Sequence, residues 1–90
     1  MLICLMAHDK EGALDVRKAN RDAHLAYIAE TDCVHLGGPI KNAAGDMCGS
    51  MLVLDVADMT EAQAWADGDP YAKAGLFKSV TLNEWIKVIG

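Results

Sequence analysis

Several things are missing from this chain, and each absence excludes a class of protein. No apolar run approaches the roughly 18 residues of a membrane-spanning helix, because Lys, Arg, Asp or Glu breaks every stretch. The apolar start, MLICLMAHDKEG, is too short for a signal peptide and lacks a basic leader and a cleavage site. Basic residues are few, 8 against 13 acidic for a formal net charge of −5, and they form no cluster. That argues against nucleic-acid binding through phosphates. Cys4, Cys33 and Cys48 are odd in number and form no C-x-x-C pair. They fit neither a disulfide scaffold nor a zinc site and read as reduced thiols of a cytoplasmic protein. His8, His24 and His35 lack the spacing of a familiar metal motif, so no metal is expected. The nucleophile elbow, the phosphate-binding loop and the dinucleotide fingerprint are all absent.

What is present is an excess of apolar residues. The chain has 90 residues, enough for one domain, and 52% of them are hydrophobic. A domain of this size buries only about 60–65% of its unfolded surface. With no membrane to cover it, the surplus apolar surface points to a second subunit, most simply in a two-fold homodimer.

Leu2 to Ala7 reads as a buried strand ended by a polar turn. Leu14 to Glu30 contains no Gly or Pro and is predicted to be helical, stopping at Thr31-Asp32. Val34 to Leu36 is a short strand that Gly37-Gly38-Pro39 should end. Ile40 to Gly49 has loop composition, and Ser50 to Val56 is the clearest strand. Asp58-Met59-Thr60-Glu61 has the form of a capping box, and its helix should fail near Gly68. Asp69-Pro70 opens a second short turn, closed by Gly75, and Leu76 to Ile89 should be a kinked strand. The order is β-α-β-β-α-β, so the expected fold class is α+β. A ferredoxin-like sandwich follows, with a four-stranded antiparallel sheet, helices on one face and the other face left bare.

In the first predicted helix, Leu14, Arg17, Arg21, His24, Leu25 and Ile28 share one side, while Ala19, Ala23 and Ala26 lie opposite. If the Leu/Ile stripe meets the sheet, Arg21 and His24 sit at its margin, where cations favour an anion. Simpler readings stand beside the functional ones. A lone helical histidine often just covers a core edge, and Asp69 before Pro70 is an ideal N-cap. Tyr71 can pack by its ring. Gly38 and Pro39 are turn residues first, and Ser50 has the position of a strand-end hydroxyl. Trp65 and Trp85 suit core or interface anchors.

Taken in order, Arg21-Asp22-Ala23-His24-Leu25, Gly38-Pro39, Gly49-Ser50, Ala64 to Tyr71 (AWADGDPY) and Ala74-Gly75-Leu76-Phe77 resemble the YCII-related family, also called YciI-like proteins. The resemblance runs from the MLICLMAHDK start to the WIKV end. It implies a dimeric α/β-barrel fold with a His–Asp pair in a cleft, here His24 and Asp69. It also implies that Arg21 and Ser50 contact the substrate, with Gly38, Pro39 and Tyr71 nearby. One related enzyme type removes chloride from a chlorinated hydroxyquinol, and the wider superfamily includes muconolactone isomerases. The segment Lys41 to Gly49 is shorter than the resemblance leads one to expect. The resulting expectation is a lyase or isomerase acting on a small oxygenated, anionic compound without a cofactor. The alternative is a dimer that binds a small molecule and leaves it unchanged.

Overall fold

The computed structural model describes residues 1–90. Its elements are β1 (Leu2–Asp9), α1 (Leu14–Thr31), β2 (Val34–Lys41), β3 (Met47–Asp55), α2 (Met59–Gly68), α3 (Pro70–Lys73) and β4 (Phe77–Glu84). The strands form one sheet in the order β2-β3-β1-β4, every pair antiparallel. This is the ferredoxin-like arrangement, with the single turn α3 added before the last strand.

The two faces of the sheet differ because side chains alternate along each strand. Ile3, Leu5 and Ala7 of β1 lie opposite Leu54, Leu52 and Ser50 of β3, and all six are buried beneath the helices. Val56, Ala62, Trp65 and Ala66 complete the core from the side of α2. Trp65 is the anchor its size suggests. Its indole N–H donates to Thr31 Oγ1 at 2.8 Å, and its carbonyl accepts from the Tyr27 hydroxyl at 2.8 Å, which ties α2 to α1. On the other face no helix packs, and Leu2, Cys4, Met6 and Met51 are only half-buried.

The helix ends follow their local chemistry. Asp32 ends α1 in the left-handed region at φ 50°, which Asp tolerates, and returns its N–H to the Ile28 carbonyl. Asp58 caps α2 by accepting from the Glu61 N–H at 2.9 Å. The reciprocal bond of the box reaches one residue further back, from the Ala57 N–H to Glu61 Oε2 at 3.2 Å.

Three strands differ from expectation, β3 by starting at Met47 inside the expected loop. Gly37-Gly38-Pro39 does not end β2, which continues to Lys41, so the connection to β3 shrinks to the turn around Asn42–Asp46. The missing proline N–H does no harm because β2 is a sheet edge with a partner on one side only. Gly37 lies so close to the Leu52 side chain that a Cβ would have no room. Gly37 therefore serves close packing against β3, whereas the space beside Gly38 is open. β4 stops at Glu84, well short of Ile89. Its partner β1 begins at Leu2, so beyond the Ile3–Glu84 pair only the Trp85 N–H still finds an acceptor, the Leu2 carbonyl at 2.9 Å. Alternation in a sequence cannot show where the partner strand runs out. Ile86, Val88 and Ile89 beyond it are 76–90% exposed.

Candidate active site

The residues that α1 buries are not its leucines. They are Arg17 and His24, while Leu25 stays 45% exposed. Arg17 and His24 therefore turn inward, and a gap remains between α1 and the β2–β3 half of the sheet. The gap is a cavity of about 370 Å³. Arg17, Arg21, His24 and Tyr71 line one side, and β2 and β3 contribute Gly38, Pro39, Ser50 and apolar neighbours such as Leu52.

His24 Nδ1 lies 2.8 Å from Asp69 Oδ1, with both side chains at most 8% exposed. An ionised carboxylate only accepts, so Nδ1 is the donor of this bond, and Nε2 has no protein partner. Asp69 does not reach the cavity wall; it stands behind the imidazole. It is also the N-cap of α3, accepting the Tyr71 N–H at 3.0 Å. The same Oδ1 takes both bonds, using its two lone pairs.

Tyr71, which the Asp69 cap sets in place, is sandwiched in the site. Its ring stacks on His24 with centroids 4.0 Å apart and planes 17° from parallel. The Arg17 guanidinium lies 4.7 Å from the same ring centroid. Residues 17 and 24 are separated by about 10.5 Å of helix rise, room for one aromatic ring between their side chains, and Tyr71 fills it. Burial pushes the Tyr71 hydroxyl above its usual pKa; Arg17 opposes this shift and the Asp69 charge adds to it.

Arg17 is anchored by Asp9. Its Nε and Nη2 donate to Oδ2 and Oδ1 at 2.7 and 3.0 Å, and Nη2 also donates to Ser50 Oγ at 2.9 Å. Asp9 continues the inward series Ile3, Leu5, Ala7, and Ser50 faces Ala7 across the sheet, so strand alternation aims both at the same point. Burial alone would lower the Arg17 pKa, but the hydrogen bond and charge of Asp9, together with Tyr71, outweigh it and the net shift is upward. No Asp or Glu lines the cavity, although the chain carries 13 acidic residues. Asp9 and Asp69 sit behind Arg17 and His24, and the unpaired Arg21 adds a positive charge at the rim.

The structure brings His24, Arg21, Ser50, Tyr71, Gly38 and Pro39 to one cavity and sets Asp69 directly behind it. Arg21 is exposed at the rim and makes no ion pair. Ser50 takes its hydrogen bond from Arg17 and not from backbone. Asp9 and Arg17 escaped sequence reasoning as site residues. Arg17 carried a signal, lying one turn before Arg21 on the His24 stripe, whereas Asp9 looked like part of a polar turn.

Fold and site together define a ferredoxin-like domain with a buried His–Asp pair beside a cationic pocket. The model of the YCII-related domain matches residues 1–86, and the chain belongs to that family. It is 34% identical to the protein YciI of Escherichia coli over 98 aligned positions, covering 98% of this chain and 99% of that protein, and equally to YciI of Shigella flexneri. Among solved structures it is similar to the 5-chloro-2-hydroxyhydroquinone dehydrochlorinase TftG of Burkholderia phenoliruptrix, in complex with 2,5-dihydroxybenzoquinone. The TM-score there is 0.89 and the identity 34%, over 96% of this chain and 94% of that one. An antibiotic biosynthesis monooxygenase superposes with a TM-score of 0.57 at 9% identity over 97% of this chain and 100% of that one, a likeness of fold alone.

Proposed function

We propose that this protein is an enzyme of lyase or isomerase type, acting on a small oxygenated anion with His24 as general acid and base. The observation that carries the reading is the buried 2.8 Å contact between His24 Nδ1 and Asp69 Oδ1. It leaves Nε2 as the only free nitrogen of a ring that lines a cationic cavity. In this reading Nε2 takes a proton from the atom next to a carbonyl, and the electron pair moves onto the carbonyl oxygen. Arg21 and Ser50 hold that oxygen as its charge grows. Collapse either returns the proton at another position, an isomerisation, or expels a leaving group such as halide, an elimination. Asp69 orients the ring throughout and stabilises the imidazolium. No cofactor enters these steps. The dehydrochlorination named for TftG is a reaction of the second kind.

Chlorinated hydroxyquinols, with small keto acids and lactones beside them, are therefore the first substrates to screen. His24→Gln should cut turnover by about 10²- to 10⁴-fold while the protein stays folded. Equal turnover in that variant would sink the mechanism. Ligand bound and recovered unchanged by the wild type would favour the binding-module alternative.

The proposal includes a homodimer working in the cytoplasm. Its support is a sheet face that no helix covers and three free cysteines.

A further inference from the structure

Resting on the same cavity and on the reading above, we infer that Asp9 and Arg17 are positioning residues that make Ser50 an obligate hydrogen-bond donor. This corner of the site then receives an oxygen that can only accept: a carbonyl, enolate or phenolate oxygen in preference to a hydroxyl.

Ser50 is 3% exposed and lines the cavity. A serine hydroxyl has one proton to give and two lone pairs. One lone pair is taken by Arg17 Nη2 at 2.9 Å, while the proton goes to no protein acceptor. A buried hydroxyl with its proton unspent needs an acceptor from whatever fills the cavity. The guanidinium beside it sharpens the preference. A positive charge 2.9 Å away repels a second donor and favours an incoming lone pair or negative charge.

Asp9 makes this bias permanent. It grips Arg17 through two bonds, and the two side chains are 5% and 4% exposed. Arg17 is therefore held in place on the cavity wall with Nη2 directed at Ser50. The other Nη2 hydrogen is left to the serine. A lysine at position 17 would keep the charge but could not span two carboxylate oxygens and the serine in one plane. The three residues come from β1, α1 and β3, so the arrangement exists only in the folded sheet–helix layer.

The test is a binding selectivity, which a purely structural pair would not move. Two probes built on a six-carbon ring are titrated under nitrogen by calorimetry: 2,5-dihydroxybenzoquinone, rich in acceptor oxygens, and 1,2,4-trihydroxybenzene, which presents hydroxyls. The wild type should prefer the quinone by about tenfold or more, the scale of a charge-assisted hydrogen bond. In Ser50→Ala and in Arg17→Lys the ratio should fall to within about threefold, mainly through weaker quinone binding. Arg17→Lys disturbs a buried ion pair and can lose its fold; Ser50→Ala removes only the hydroxyl and decides the matter alone. An unchanged ratio in Ser50→Ala would overturn the inference, as would a wild type that binds both probes alike or binds neither. The acid/base reading is scored separately, on the turnover of His24→Gln, so either idea can fail alone.

Discussion

At Asp69 a single oxygen serves both the α3 cap and the imidazole, so substitutions there separate folding from chemistry. Asp69→Asn keeps an acceptor for the Tyr71 N–H but gives Nδ1 a neutral partner that can also donate. The expected outcome is a protein that folds, a His24 ring whose 15N shifts report mixed tautomers, and turnover lower by about 10²-fold or more. If the 15N shifts match the wild type, Asp69 is only a cap. The tyrosines give a second prediction at this scale. Burial raises the pKa of Tyr71 and of Tyr27, so the folded protein holds these phenolic protons more tightly than the unfolded chain. That contribution is complete below the unfolded value of about 10 and is lost as pH rises through the folded one. The urea midpoint should therefore fall as pH climbs past about 10. Tyr71→Phe, which keeps the ring against His24, should fall less steeply. A parallel decline in both proteins would show that Tyr71 is not responsible.

Among the elements, α1 departs most from the simple amphipathic rule. Its buried members are a cation and an imidazole, and it is held by Asp9, by Asp69 through His24, and by the Tyr27–Trp65 contact to α2. Tyr27 and Ile28 of α1 also pack against the core, while Leu25 stays free to line the cavity. Helix α2 is the ordinary case, with apolar residues inward and a side-chain cap. Asp58→Ala removes the acceptor of the Glu61 N–H and should cost about 1 kcal/mol of unfolding free energy by denaturant titration. Because α2 does not line the cavity, probe binding should stay as in the wild type. A loss of binding with no loss of stability would contradict this division between the helices.

Across the whole molecule, apolar surface is left over. Only 17 of 90 residues are buried, in a chain that is 52% hydrophobic. The face formed by Cys4, Met6 and Met51, with Met6 directly opposite Met51, has no helix over it. A second copy placed there accounts for both facts. Sedimentation equilibrium should give twice the chain mass for the wild type. Met51→Lys should give a folded monomer, since a desolvated lysine at the centre of such a contact is strongly unfavourable. A wild type that sediments as a monomer at tens of micromolar would refute the dimer.

Local chemistry made much of this protein legible in its sequence. The order of elements, the Asp58 cap, the stop at Asp32 and the second turn opened by Asp69-Pro70 all depend on residues a few positions apart. Their physics is the same before and after the chain folds. The family resemblance brought His24, Arg21, Ser50, Gly38, Pro39, Tyr71 and Asp69 forward as a set. What only the tertiary structure decided depends on distant partners. Pro39 could stay in a strand because β2 proved to be an edge, and β4 ended early because β1 had no residues left to pair with it. Arg17 could turn inward because Asp9, eight residues earlier and on another element, was there to neutralise it. The direction of an ionised side chain is set by the charge that folding places beside it, and spacing along the chain does not contain that information.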